Sequence, residues 1–431
     1  MQSQISVAVL GAGPMGLAAA FQLAKDGLKP IIFEGADRIG GMTATFDFGG
    51  LNIERYYHFH CTSDVDFMKL LDELGIREKL QWKATKMGFY YKTRLSPWGN
   101  PIALLTFPGV SLISKIRYGI HAFYCIKLKN WKNLDSLEST AWIRRWIGEE
   151  GFKVWWEKLF EYKFYNYASE LSAAWIWSRI RRIGTSRYNL FQEKLGYLEG
   201  GSETFLTAMK TYIESRGGEF RLGEPAIQIL HTGDRLSGIQ TPKGTYEFEK
   251  VVSTIPLCYI PSILPNLQKD LLDKFKAQKS IAVVCVIVKL KKQVTENFWV
   301  NINDDDMDIP GMVEYSNLRP LDCTIVYVPY YMPSEHPKYA EIDEVFGAKV
   351  KLYLKKMNPS LTDTDFVEIK CNRYKYAQPI CGPKFLDTLP PYSLPIKDLY
   401  VADTTYYYPE DRGISESIGF GRKLAKELTK N

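Results

Sequence analysis

Apolar and polar positions divide the chain into short continuous runs and longer amphipathic stretches. Residues 5–10, ISVAVL, form an apolar run of strand length, the pattern of a strand buried on both faces. After a glycine-rich turn, LAAAFQLAKDG predicts a helix that stops at Gly27, and KPIIFE predicts a second strand ending on Glu34. Residues 196–229 read as a turn, an amphipathic helix and a strand, and LSGIQTPKGTYEFEKVVSTIP as a β-meander returning to a central strand. Four segments, SIAVVCVIVKL, ENFWVNIN, DCTIVYVPYY and DFVEIKCNRYKYA, predict an antiparallel sheet covered by a helix over AEIDEVFGAKVKLYLKKM. Residues 81–190 read as mostly helical and aromatic. The last segment, LYVADTTYYYPEDRGISESIGFGRKLAKEL, predicts a strand and then a terminal helix.

No internal repeat interrupts this order, and no apolar run reaches the roughly 18–20 residues a membrane-spanning helix needs. At 431 residues the chain suits two or three domains, or one discontinuous pair. A net charge of +6 is mild, and no nucleic-acid partner is expected from it. The cysteines, at 61, 125, 258, 285, 323, 371 and 381, form no CxxC, and with five histidines they complete no zinc pattern. Reduced thiols in a cytoplasmic protein are expected, with no metal. The opening apolar run has no Lys or Arg before it, so it reads poorly as a signal peptide.

GAGPMG places Gly11, Gly13 and Gly16 in GxGxxG spacing between the first strand and helix, with Pro14 and Met15 inside the motif. Gly11 permits the tight turn, Gly13 lets a pyrophosphate approach the backbone, and Gly16 lets the helix pack on the strand. Glu34 falls 23 residues after Gly11, where a ribose-binding carboxylate belongs. Strand, turn, helix, strand and terminal acid in this order predict a dinucleotide site.

The next residues, EGADRIGGMTATF, put Arg38, Gly40 and Gly41 just past Glu34 and Gly35, followed by Met42 and Thr43. This resembles the RxGG extension of the FAD flavoproteins grouped around amine oxidase, protoporphyrinogen oxidase, phytoene desaturase and, more distantly, UDP-galactopyranose mutase. The resemblance implies an α/β fold. A discontinuous Rossmann-like FAD-binding domain (1–80, 191–270 and 386–431) would join a substrate domain with a helical part (81–190) and a sheet part (271–385). It implies FAD as cofactor, with Ala226 near the adenine, Thr254 beside the cofactor and Asp403 near the pyrophosphate. Gly413, Ile414 and Ser415 would form a helix N-terminus aimed at the flavin, where free N–H groups and the dipole favour negative charge.

A flavin carries out the hard step itself, so no catalytic dyad is required. NIERYYHFHCTSD follows the RxGG loop, and Tyr57 and His58 are candidates to line the flavin face, with Arg55 and His60 toward substrate. The alternative for both histidines is a satisfied polar core. In RYKYAQPICGP, Tyr376 is the candidate to cap the flavin. Flavin amine oxidases place a lysine within a substrate-sheet strand; SIAVVCVIV has none, and Lys279 lies just before it. The expected reaction is hydride transfer between a hydrophobic, lipid-linked substrate and flavin N5. The alternative is a non-redox mutase acting on a nucleotide sugar, with Arg179, Arg181 and Arg182 toward its diphosphate.

From Lys79 to Leu134 the chain has ten Lys or Arg and no Asp or Glu, with aliphatic and aromatic residues interleaved. Such a basic amphipathic segment suits an anionic membrane surface on the inner face. A funnel for a phosphorylated substrate, or an ordinary cationic helical face, would read the same way. The oligomeric state is not legible.

Overall fold

The computed structural model describes residues 6–430, so Ile5 of the predicted opening strand lies outside the described residues. The first motif folds as its pattern predicts, into strand β1 (Val7–Leu10), helix α1 (Pro14–Lys25) and strand β2 (Pro30–Glu34). Pro14 fits the first helical position, where its missing N–H has no intrahelical partner. β1 is flanked in parallel by β2 and by Lys250–Ser253, and Glu219–Leu222 and Leu399–Val401 complete a five-stranded parallel sheet. Its strands come from three separate parts of the chain, 7–34, 219–253 and 399–401, so the dinucleotide-binding fold is discontinuous.

Successive side chains of a strand point to opposite faces. Val7, Val9, Ile32 and Val252 meet α1, the Ser202–Ser215 helix and the C-terminal Ile414–Lys430 helix. Ala8, Leu10, Phe33 and Val251 meet the meander of Gln228–Thr232, Arg235–Thr241 and Gly244–Glu247. Two close approaches tolerate no side chain. A Cβ on Gly16 would lie 1.9 Å from the Gly11 carbonyl oxygen, and one on Gly421 would lie 2.1 Å from that of Met15. Backbone packing of this kind brings the N-termini of α1 and of the C-terminal helix to the same cleft.

The second sheet has seven strands, ordered Phe366–Pro379, Ser280–Leu290, Thr324–Met332, Gly311–Glu314, Trp299–Asn303, Met87–Tyr91 and Arg94–Trp98. Neighbours are antiparallel except Trp299–Asn303 with Met87–Tyr91. The last two strands fall inside the stretch predicted as mostly helical. They form a hairpin whose turn, Lys92–Thr93, has positive φ at both residues yet carries no Asn or Gly, the usual hairpin signal. Helices begin only at Pro101. Val283, Cys285 and Ile287 face the helical layer, while Val284, Val286 and Val288 face the predicted covering helix, Asp343–Met357.

All seven cysteines are free. Among the described residues no His, Cys, Asp and Glu cluster forms a metal-binding arrangement, and no helix is long and apolar enough to cross a membrane.

Candidate active site

The glycine turn is held by the acid that ends β2. The Ala12 N–H donates to Glu34 Oε2 at 2.7 Å, and the Ala36 N–H to Glu34 Oε1 at 2.9 Å. Bonds to a charged acceptor are worth roughly 1.5–3 kcal/mol each. The second small-residue loop closes on the first. The Gly40 N–H donates to the Ala12 carbonyl at 2.8 Å, and a Cβ on Gly41 would lie 3.2 Å from Gly13 Cα. The Arg38 guanidinium donates to the Thr45 carbonyl, and Thr43 Oγ1 to that of Gly40 at 2.7 Å.

Gly13 differs from its neighbours, since a Cβ there would have nothing within 4 Å. Its bare backbone faces a cavity bordered also by Gly11, Pro14, Met15, Glu34, Gly41, Met42 and Thr43. Gly16, Gly35, Arg38 and Gly40 are not on the cavity wall. An open backbone at a helix N-terminus, beside a carboxylate, fits the pyrophosphate and ribose of FAD.

On the far side of the cleft, Asp403 accepts from the Thr405 N–H at 2.8 Å and the Leu257 N–H at 2.9 Å, and burial pushes its pKa up. Thr254 Oγ1 donates to the Leu10 carbonyl at 2.9 Å. Thr254, Asp403, Gly413 and Ile414 border the cavity. Ser415 does not; it is buried, and its Oγ accepts from the Phe67 N–H at 3.2 Å. Ala226 packs beside the meander, away from the wall.

The cavity continues from this cleft between the seven-stranded sheet and the helical layer, with a volume of about 1240 Å³. Single-ligand pockets occupy roughly 300–1,000 Å³, so this space exceeds the usual size for one ligand. Trp98, Tyr118, Phe123, Trp156, Phe160 and Trp175 give its walls an apolar, aromatic character.

The polar candidates separate into those that reach the cavity and those that do not. Tyr57 does, packed edge-on against Trp299 at 5.6 Å and Tyr327 at 5.8 Å, and burial raises its pKa well above the usual phenol value. His58 borders the cavity as a neutral imidazole; burial, with His60 and Arg412 nearby, lowers its pKa to about 3. It is therefore no proton shuttle near neutrality. Arg55 and Tyr376 also border it, Tyr376 meeting Tyr259 edge-on at 5.3 Å. His60 corrects the expectation of a substrate contact. It stacks on Phe67 at 4.1 Å, with Nδ1 3.6 Å from an Asp64 oxygen, and lies off the wall.

Arg179 and Arg182 reach the cavity with their charges already countered. Arg179 pairs with Asp411, and Arg182 donates to both Asp64 oxygens at 3.1 Å. Burial alone would raise the Asp411 pKa, but Arg179, Lys163 and Arg412 hold it at about 2. Arg181 is exposed over the Trp177 ring.

Two residues escaped the sequence reading. Lys163, on the Lys158–Phe164 helix, is only 6% exposed and borders the cavity among the rings of Phe164, Trp175 and Tyr331, 5.2–5.6 Å from their centroids. Burial and then Arg179 push its pKa far down, against the pull of Asp411. Arg412 borders the cavity beside the same Tyr331, whose hydroxyl accepts from Nη2 at 3.2 Å. The available signal was a lysine on an apolar helix face, three residues after Phe160. Lys279, by contrast, pairs with Glu170 at 2.7 Å on the surface.

The family model described as flavin containing amine oxidoreductase matches residues 16–407. The 15-cis-phytoene desaturase of Synechococcus elongatus is 26% identical over 296 residues, covering 61% of this chain and 60% of that protein. Protoporphyrinogen oxidase 2 of Arabidopsis thaliana is 30% identical over 171 residues, covering 39% of this chain and 32% of that protein. The matches thus span less than two thirds of these relatives' lengths. Among solved structures, an oxidoreductase from Methanosarcina mazei superposes with a TM-score of 0.72 at 15% identity, covering 98% of this chain and 100% of the other. Reduced UDP-galactopyranose mutase does so with 0.75 at 16%, covering 99% and 96%. At such identities the likeness is one of fold.

Proposed function

The chain belongs to the flavin containing amine oxidoreductase family, with FAD as its cofactor, and from that premise we propose that it oxidises or reduces a large, apolar, lipid-linked substrate at an anionic membrane surface. When bound, FAD supplies the redox chemistry, exchanging a hydride at N5 with a substrate carbon. The backbone at Gly11 and Gly13, the Glu34 carboxylate, the loop at Gly41–Thr43 and the Gly413–Ile414 helix start are the groups that would hold it.

The protein's own contribution is positioning and exclusion of water. Tyr57, Tyr376 and Trp299 give part of the inner cavity an aromatic surface, and burial lowers the pKa of His58 beside them. Walls of Trp98, Tyr118, Phe123 and Phe160 offer a long apolar substrate a favourable transfer of roughly 25 cal/mol per Å² buried. The observation that carries this reading is the continuity of one aromatic cavity with the nucleotide cleft.

The surface near its mouth supports the membrane assignment. Ile113, Ile116, Ile120 and Phe123 form an exposed stripe on the Leu112–Lys127 helix, joined by Ile102 and Leu105, and by Leu190 and Phe191 of a neighbouring turn. Phe123, Lys127 and Leu190 also border the cavity. Lys127, Lys129 and Lys132 form no ion pair among the described residues, so their charge is available to anionic headgroups.

The test is anaerobic mixing of FAD-loaded protein with fractionated cell lipids. One lipid fraction should bleach the oxidised-flavin absorbance, and water-soluble amines and nucleotide sugars should not. Turnover of a nucleotide sugar with no net electron consumption would instead establish the mutase alternative.

A further inference from the structure

Lys163 and Arg412 are two buried cavity cations that form no ion pair with a carboxylate among the described residues. Arg179 has Asp411 and Arg182 has Asp64, but Lys163 Nζ has no hydrogen-bond acceptor among the described residues. Arg412 uses Nη2 on Tyr331, and its Nη1 is buried without a partner. The two charges flank one ring. Lys163 Nζ lies 5.2 Å and the Arg412 guanidinium carbon 5.9 Å from the Tyr331 centroid. Each also acts on the other electrostatically, as like charges.

Two like charges withdrawn from water beside aromatic rings are costly unless an anion joins them. Asp411 acts on both but is paired with Arg179, and Glu410 faces Arg181 and Arg182 and is itself pushed toward its neutral form by burial. Arg179, Lys163 and Arg412 thus share one carboxylate, Asp411, and the space beside them is the cavity.

We propose that Lys163 and Arg412, braced by Tyr331, form a subsite for an oxyanion, a carboxylate or a phosphate, carried by an otherwise apolar substrate. This rests on the reading of the aromatic cavity as the substrate site and names the polar part of what enters it. Lys163 supplies a compact ammonium, and Arg412 a planar fork with a free Nη1, so together they suit an oxyanion with several acceptor oxygens.

Calorimetric titration of the FAD-loaded protein with decanoate, decyl phosphate and decanol tests this directly. Decanol reports the apolar cavity alone, and the two anions report the subsite and separate carboxylate from phosphate. At least one anion should bind about 10-fold or more tighter than decanol. Lys163→Met should bring that anion to within about twofold of decanol while leaving decanol affinity unchanged, and Lys163→Arg should retain the preference. Arg412→Gln should act in the same direction; should it lose FAD, Lys163→Met decides alone. Equal binding of all three probes to the unaltered protein, or an undiminished preference in Lys163→Met, overturns the subsite and leaves the apolar cavity standing. Binding of no probe removes both.

Discussion

The nucleotide cleft and the substrate cavity meet in one space but are built by opposite means. The cleft is made of backbone. Its walls are glycine turns and helix starts, and side chains such as Glu34 work by tying backbone N–H groups. The cavity beyond is made of side chains from widely separated segments, and its charges are balanced through contacts such as Arg182–Asp64, 118 residues apart. The cleft should therefore fail through single backbone positions, and the cavity through uncompensated charge or altered shape.

The sharpest test of the first half sets two glycines of one motif against each other. In Gly16→Val the added carbons meet the Gly11 carbonyl at an impossible 1.9 Å, so the fold itself should be lost, seen as insoluble or unfolded protein by circular dichroism. In Gly13→Val they enter open space, so the protein should fold with the Tm of FAD-free unaltered protein but purify without FAD. Equal outcomes for the two would erase the distinction between packing glycine and cofactor glycine.

The second half predicts a large effect from a charge. Arg182→Ala strands Asp64, which is 2% exposed, and should destabilise the fold by about 3–5 kcal/mol in chemical denaturation. Adding Asp64→Asn should recover part of the loss. A smaller effect concerns the outer rim. Ile113→Ser, Ile116→Ser and Phe123→Ser combined should weaken co-sedimentation with anionic vesicles by about tenfold or more, with folding intact because all three side chains are exposed. Retained binding would separate the rim from any lipid surface.

A further effect is one of pH. The pKa of His58 falls from 6.5 to about 3 on folding. Between these values the unfolded chain binds the proton and the folded chain does not, so stability declines as pH falls through the window and is untouched above it. The Tm of His58→Asn should gain on that of the unaltered protein as pH drops from 6.5 toward 4. A constant difference would mean that His58 is not desolvated.

Legibility in the sequence followed the same division. The β1–α1–β2 unit, Glu34 and the RxGG loop could be read directly because they act through contiguous backbone geometry. The C-terminal helix start could be placed, although Ser415 proved to turn inward on the Phe67 N–H. His60 was misjudged because proximity along the chain to Tyr57 and His58 says nothing about the Phe67 ring that captures it. Lys163 sits in an aromatic stretch whose residues read uniformly as core, and only the tertiary fold brings Arg412 to the same ring. The Met87–Trp98 hairpin escaped for a local reason, a turn lacking the usual glycine.

Continuity between cleft and rim is the central claim, and Ala122, on the cavity wall beside Phe123, offers the most direct measurement. The flavin absorbance of unaltered and Ala122→Trp protein is followed after anaerobic addition of the active lipid fraction. Both should hold FAD equally, the unaltered protein should bleach, and the blocked variant should stay oxidised. Bleaching of both at the same rate would contradict a substrate path through this cavity.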